Sequence, residues 1–144
     1  MKPQDASYES RIRESFGRQS HMTTLGVTIG RIAPGEVDLS LPYSARFCQQ
    51  NGFMHAGAVA SVADSANGYA ALTLAPPGTD VLAVEFKINF LAPAHGELFV
   101  ARARVLRAGR TLTVCQAEVF ATAPPPETLI ATMLSTIIVR PIVR

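Results

Sequence analysis

One carboxylate stands out in this chain of 144 residues. Asp64 falls inside a run, roughly Ala56 to Leu74, that is otherwise rich in alanine, valine and serine and reads as one long helix. Aspartate is an indifferent helix-interior residue because its side chain competes for backbone groups, so its presence there needs a reason. The ordinary reason is a solvated position on an exposed face. A chemical one comes from the helix's own start, Met54-His55-Ala56-Gly57. First-turn N–H groups have no intrahelical partner, and the helix dipole favours developing negative charge there. A carbonyl oxygen held on those N–H groups can be attacked by a carboxylate, or by a water the carboxylate deprotonates. That is the minimal apparatus for cleaving an ester or thioester.

Other chemistries find less support. A lone His55 at a helix start is most simply a cap or hydrogen-bonding group. His21 and His95 complete no metal-ligand spacing, so no metal and no cofactor are expected. No serine sits in a G-x-S-x-G setting, which disfavours a serine nucleophile. Cys48 has no base beside it in sequence and reads as a packed thiol. Two cysteines, Cys48 and Cys115, exclude a disulfide scaffold and fit a reducing compartment. A net charge of +2 without clustered Lys and Arg gives no footprint for nucleic acid. The polar start MKPQDASYESRIRESF lacks the apolar core of a secretory signal, so a cytoplasmic protein is expected. No run reaches the ~18 apolar residues that a membrane span needs, and no membrane partner is expected.

The surrounding elements must hold Asp64 and the helix start in place. The whole chain, 1–144, reads as one domain, with residues 1–22 a helical or frayed extension. Val27 to Ile32 and Glu36 to Leu41 suggest a hairpin turning at Pro34-Gly35. Phe47 to Met54 is a loop, and Pro76-Pro77-Gly78 ends the long helix. The period then changes from 3.6 to 2. Leu82, Val84, Phe86, Ile88 and Phe90 form one apolar strand face, and Phe99, Ala101, Ala103 and Val105 another. Thr111 to Ala121 and Thr128 to Val139 are two further strands. This is an α+β order in which an antiparallel sheet wraps one helix. On a helical projection Val59, Val62, Ala66, Tyr69 and Thr73 form the core face. Asp64 shares the opposite side with Ala60, Ser61, Asn67, Gly68 and Ala71, residues small enough for a ligand or second subunit to come close.

The stretch Gln49-Gln50-Asn51-Gly52-Phe53-Met54-His55-Ala56-Gly57, with Asp64 nine residues after the histidine, resembles the hotdog-fold acyl-CoA thioesterases, most closely the phenylacetic-acid-degradation (PaaI-like) type. Ile88-Asn89-Phe90-Leu91-Ala92-Pro93-Ala94 is similar to that family's strand end, and Gly96 with Arg107-Ala-Gly-Arg110-Thr111 to its next hairpin. The resemblance spans roughly Val27 to Val139. It implies a hotdog fold and hydrolysis of an acyl-CoA to the free acid and CoA. The Ala56 N–H would polarise the thioester carbonyl, with Gly57 allowing close approach. Asp64 of the other subunit would be nucleophile or general base, Gln49 would orient water or carboxylate, and His55 would brace the loop. A homo-oligomer, a dimer or a dimer of dimers, follows. Asn51 would face substrate, and Arg107, Arg110 and Thr111 the CoA nucleotide; by residue type, Phe53, Met54 and Tyr69 suggest an apolar or aromatic acyl pocket, or else plain core or interface packing. Two departures stand out: the usual His-Gly-Gly reads His55-Ala56-Gly57, and Ala83 replaces a hydroxyl residue that helps hold water in some relatives. The competing readings are a non-catalytic acyl-CoA binding or sensing module, and a hydratase or dehydratase on the same fold.

Overall fold

The computed structural model describes residues 1–142, so the last two residues of the predicted 1–144 domain lie outside the described residues. Its elements run α1 (Tyr8–Gly17), α2 (Ser20–Leu25), β1 (Thr28–Ala33), β2 (Glu36–Pro42), α3 (Ala56–Leu72), β3 (Thr79–Phe90), β4 (Leu98–Ala108), β5 (Leu112–Ala123) and β6 (Thr128–Pro141). All strand pairs are antiparallel, in the order β1-β2-β4-β5-β6-β3, and α3 packs across one face. The expected α+β architecture is therefore the observed one. Among the described residues no helix is long and apolar enough to cross a membrane.

Small side chains make the wrap feasible. Ala63, Ala66 and Ala70 of α3 are fully buried, as are Ala101 and Ala117 on the sheet, while Phe99, Leu39, Val119 and Met133 fill the remaining space. Burying each of these larger side chains contributes about 1.5–3 kcal/mol. The predicted hairpin forms with Ala33 opposite Glu36, and Gly35 takes φ +82°, a left-handed conformation that suits glycine. Gly35 N–H donates to Thr73 Oγ1 at 2.7 Å, which ties the hairpin to the end of α3.

Two expectations need correction, and one choice is settled. Of the two alternatives for the N-terminal segment, helical or frayed, the helical one is observed: Ile12 and Met22 are fully buried, and Arg11 donates to the carbonyls of Leu72, Ala75 and Pro76 at 2.8–3.0 Å. It thereby caps the C-terminal end of α3.

The side of α3 that carries Asp64 is narrower than the projection implied. Asn67 and Ala71 are buried, because β6 rises along that side and Asn67 Nδ2–H donates to the buried Ser135 Oγ at 2.7 Å. Ala60, Ser61, Asp64 and Gly68 remain partly open.

The apolar face of β3 does not run unbroken. A register shift between Ala83 and Glu85 leaves Leu82 opposite Ile138, while Phe86, Ile88 and Phe90 lie opposite Ser135, Met133 and Ala131 on the helix side. Much of this surface is exposed, Leu82 at 52%, Phe86 at 45% and Phe90 at 47%, because β3 is an edge strand.

Candidate active site

The start of α3 is held by the strand end that follows β3. Met54 N–H donates to Ala94 O at 3.1 Å, and His55 N–H donates to Phe47 O at 2.8 Å. His55 is the N-cap, with φ −61° and ψ 140°. Its Nδ1 accepts the Gly57 N–H at 2.8 Å, and its carbonyl accepts from Ala58 and Val59 at 3.0 and 3.2 Å. A Cβ on Gly57 would stand 3.1 Å from that Nδ1 and push the imidazole back by a few tenths of an ångström, so glycine favours the close approach. Of the orphan donors expected at a helix start, Ala56 N–H alone of the first two has no acceptor among the described residues. Ala56 is exposed, and among the described residues no non-glycine has positive φ, so alanine fits its backbone.

Asp64 lies a little over two turns further on, about 12 Å along the axis at ~1.5 Å per residue. Its Oδ1 is buried with no hydrogen-bond partner among the described residues, and burial pushes its carboxyl above the ordinary carboxylate value. It lines a cleft of about 430 Å³ between α3, β3 and the N-terminal segment. Ser15, Arg18 and Gln19 form one wall, Ser65, Gly68 and Tyr69 the floor, and Asp80 to Ala83 the other wall. Burial also raises the Tyr69 phenol, and its ring meets Phe16 edge-on at 5.8 Å. Ala56 does not line this cleft. An unpaired, half-buried carboxylate and a free N–H thus sit on one helix, too far apart to serve one carbonyl within one chain.

The other predicted residues divide. Gln49 Oε1 accepts from Asn51 N–H, so both brace the loop before the helix, and Gly52 N–H donates to Gln49 O at 3.1 Å. Phe53 is partly buried against His95, with ring centroids 6.2 Å apart, whereas Met54 is buried in the core and offers no surface to a substrate. Arg110 lines a cleft of about 260 Å³ beyond the far end of α3, together with Arg140, Thr79 and Gly109. Arg107 does not line it, and Thr111 is exposed with its carbonyl accepting Val139 N–H at 3.0 Å. Among the described residues no group of three His, Cys, Asp or Glu side chains converges to hold a metal.

Sequence reasoning missed the N-terminal wall of the Asp64 cleft, together with Asp80 and Arg140. Their signal was weak, because polar residues on a short helix and at strand ends look like solvated surface until the fold brings them together.

Residues 51–125 match a sequence model of the Thioesterase superfamily. A thioesterase family protein of Silicibacter pomeroyi is 48% identical, with 93% of this chain and 98% of that one covered and a TM-score of 0.91. A Saccharolobus solfataricus protein that carries the name of an esterase is 34% identical over 94 residues, 65% of this chain and 66% of its own length, a little under two thirds. The Escherichia coli PaaI protein of the phenylacetic acid degradation operon has the same fold, with a TM-score of 0.83 at 19% identity over 94% of each chain. Since the matched region takes in both the start of α3 and Asp64, the chain belongs to the thioesterase superfamily, with its hotdog fold.

Proposed function

We propose that this protein is an acyl-CoA thioesterase whose active site is completed by a second copy of the chain. The observation that carries the reading is the separation of Ala56 N–H from Asp64 Oδ1, both unpartnered, by more than two helical turns. A second copy supplies the missing half when its Ala56 approaches Asp64. The free edge of β3 supports such a contact: twelve residues with unpaired backbone groups and exposed Phe86, Phe90 and Leu91 form a surface that strand pairing would cover.

The thioester carbonyl oxygen sits on Ala56 N–H, which strengthens its hold as the oxygen becomes an oxyanion. Asp64 of the other subunit either takes a proton from water, whose hydroxide adds to the carbonyl carbon, or adds itself to give an anhydride that water then opens. In both routes the tetrahedral oxyanion collapses, the C–S bond breaks and CoA leaves as the thiolate. In the general-base route the proton that Asp64 acquired from water then returns to that thiolate; in the anhydride route the water that opens the anhydride supplies it. Arg110 and Arg140, two cations beside one cleft, are placed to meet CoA phosphates, and this reading sets Arg140 beside the Arg110 expected from sequence.

Subunit complementation tests the reading. Ala56→Pro removes the one N–H at a first helical position, where proline is tolerated, and His55 already has the extended conformation proline demands of its predecessor. Each of Ala56→Pro and Asp64→Asn should lower kcat/KM on acyl-CoAs by about 10²–10⁴-fold. Mixed and reassociated, the two variants should recover about a quarter of wild-type turnover, since half of the dimers are mixed and each holds one whole site. Asp64→Asn turning over at the wild-type rate would remove the mechanism, and absence of any recovery on mixing would remove the shared site.

A further inference from the structure

The cleft beside Asp64 has a wall that comes from outside the region matched by the family, and its construction is specific. Gln19, in the turn between α1 and α2, reaches α3 twice: its Nε2–H donates to Ser65 Oγ at 3.2 Å, and its Oε1 accepts from Tyr69 OH at 3.4 Å. One turn before Asp64, His21 Nε2 and Ser61 Oγ lie 3.0 Å apart. Phe16 holds the Tyr69 ring edge-on, and the fully buried Ile12 and Met22 root the segment in the core. The N-terminal segment is therefore a built roof over the Asp64 side of α3 from Ser61 to Tyr69.

We propose that the clasp of Gln19 with Tyr69 and Ser65 sets acyl-chain specificity, stopping the acyl group beyond Asp64 and restricting the enzyme to compact acyl groups of roughly a dozen non-hydrogen atoms. The inference rests on the acyl-CoA thioesterase reading above. A space of about 430 Å³ is near the small end of small-molecule pockets and holds on the order of a dozen water-sized groups. Its boundary is polar: Ser15, Arg18, Gln19, Tyr69 OH and Asp80 all line it. An alkyl chain long enough to pass the clasp would separate Gln19 from both partners and leave a serine hydroxyl, a phenol and an amide facing methylene groups. A compact acyl group, alkyl or aryl, ends before that boundary and leaves the clasp closed.

The test is a series of acyl-CoAs from acetyl- to hexadecanoyl-CoA, with benzoyl-CoA as the compact aryl member. Hydrolysis is followed by thiol release in the wild type and in Gln19→Ala and Tyr69→Phe. The quantity read is the ratio of kcat/KM for dodecanoyl- over butanoyl-CoA, which does not depend on how much of each preparation is active. The wild type should favour the compact members, and Gln19→Ala should raise the ratio by at least about tenfold, the discrimination a shaped pocket gives for added methylenes. Tyr69→Phe, which keeps the ring, should raise it less. A wild type that prefers hexadecanoyl-CoA, or a Gln19→Ala variant that changes KM equally for all chain lengths, would overturn the proposal.

The same series is read as ligand-induced shifts in Tm on Asp64→Asn, where the stabilisation by compact members should exceed that by long ones and the difference should vanish on adding Gln19→Ala. Equal shifts across the series would also overturn it. If the wild type cleaves no acyl-CoA, the thioesterase reading fails, and this binding series still decides the clasp.

Discussion

The Nδ1 of His55 accepts the Gly57 N–H at 2.8 Å, and a Cβ on Gly57 would stand only 3.1 Å from that nitrogen. The histidine is thus a helix cap whose close approach favours glycine as its partner, and the cap consumes the donor next to the one left free on Ala56.

A capping role separates His55 from the chemistry. His55→Ala should cost about 1 kcal/mol of folding stability in urea, within the range for lost N-caps, whereas His55→Asn, itself a good cap, should recover most of it. Gly57→Ala should destabilise by a similar amount, because its Cβ displaces the imidazole. His55→Asn should also keep most of the turnover. A turnover collapse with unchanged stability would assign the imidazole a direct part in the reaction.

Burial of Asp64 without a partner sets a pH dependence whose sign follows from linkage. The folded-state pKa lies above the ordinary value of 3.8, so between 3.8 and that raised value the folded protein binds more protons than the unfolded chain. Stability therefore falls as pH rises through this window, and the cost stays in place above it. Asp64→Asn should raise Tm at pH 7, and the gain should fade as pH drops below 3.8, where both states hold the proton. Activity should move oppositely, rising with pH through an apparent pKa above the usual carboxylate range as the base ionises. Calorimetry and a kcat/KM profile over the same pH range check both halves. A variant less stable than wild type at pH 7 would show that the carboxylate has a partner in solution.

Arg11 anchors the roof of the Asp64 cleft as well as the end of α3. Its guanidinium donates to three carbonyls at 2.8–3.0 Å and pairs with Asp5 at 3.2 Å. Leu72, one of the three, lines the Asp64 cleft, while Ala75 and Pro76 line the Arg110 cleft. Arg11→Ala should cost about 1–3 kcal/mol in chemical denaturation, because it removes three charge-assisted hydrogen bonds and leaves Ala75 O without a donor among the described residues, whereas Leu72 O keeps the Ala75 N–H and Pro76 O the Thr79 hydroxyl. Arg11→Lys should restore only part, since an ammonium cannot span three acceptors as a planar fork does. Full stability in Arg11→Ala would mean that water satisfies those carbonyls as well as the guanidinium does.

Much of the architecture was legible because its signals are local. The two-residue period of Phe99, Ala101, Ala103 and Val105 marked the buried face of β4, and Pro34-Gly35 marked the hairpin turn. What misled was the assumption of an unbroken alternation in β3. The apolar alternation Leu82, Val84, Phe86 continues straight through the bulge at Val84, so nothing local reports the change of face between Leu82 and Phe86.

By itself the sequence determined most of the elements and the two candidate groups, since helix start, small-residue helix and mid-helix acid are properties of neighbours along the chain. It also carried the family, through short motifs around His55 and Asp64. Only the tertiary structure decided what surrounds those groups. Asn67 is buried against Ser135, Met54 lies in the core, and Gln19, Ser15 and Arg18 reach a cleft that no spacing along the chain connects to Asp64. The physical reason is one of range. Periodicity and capping act within a few residues. The desolvation that leaves Asp64 Oδ1 without a partner depends on which distant segments the sheet's curl brings over it.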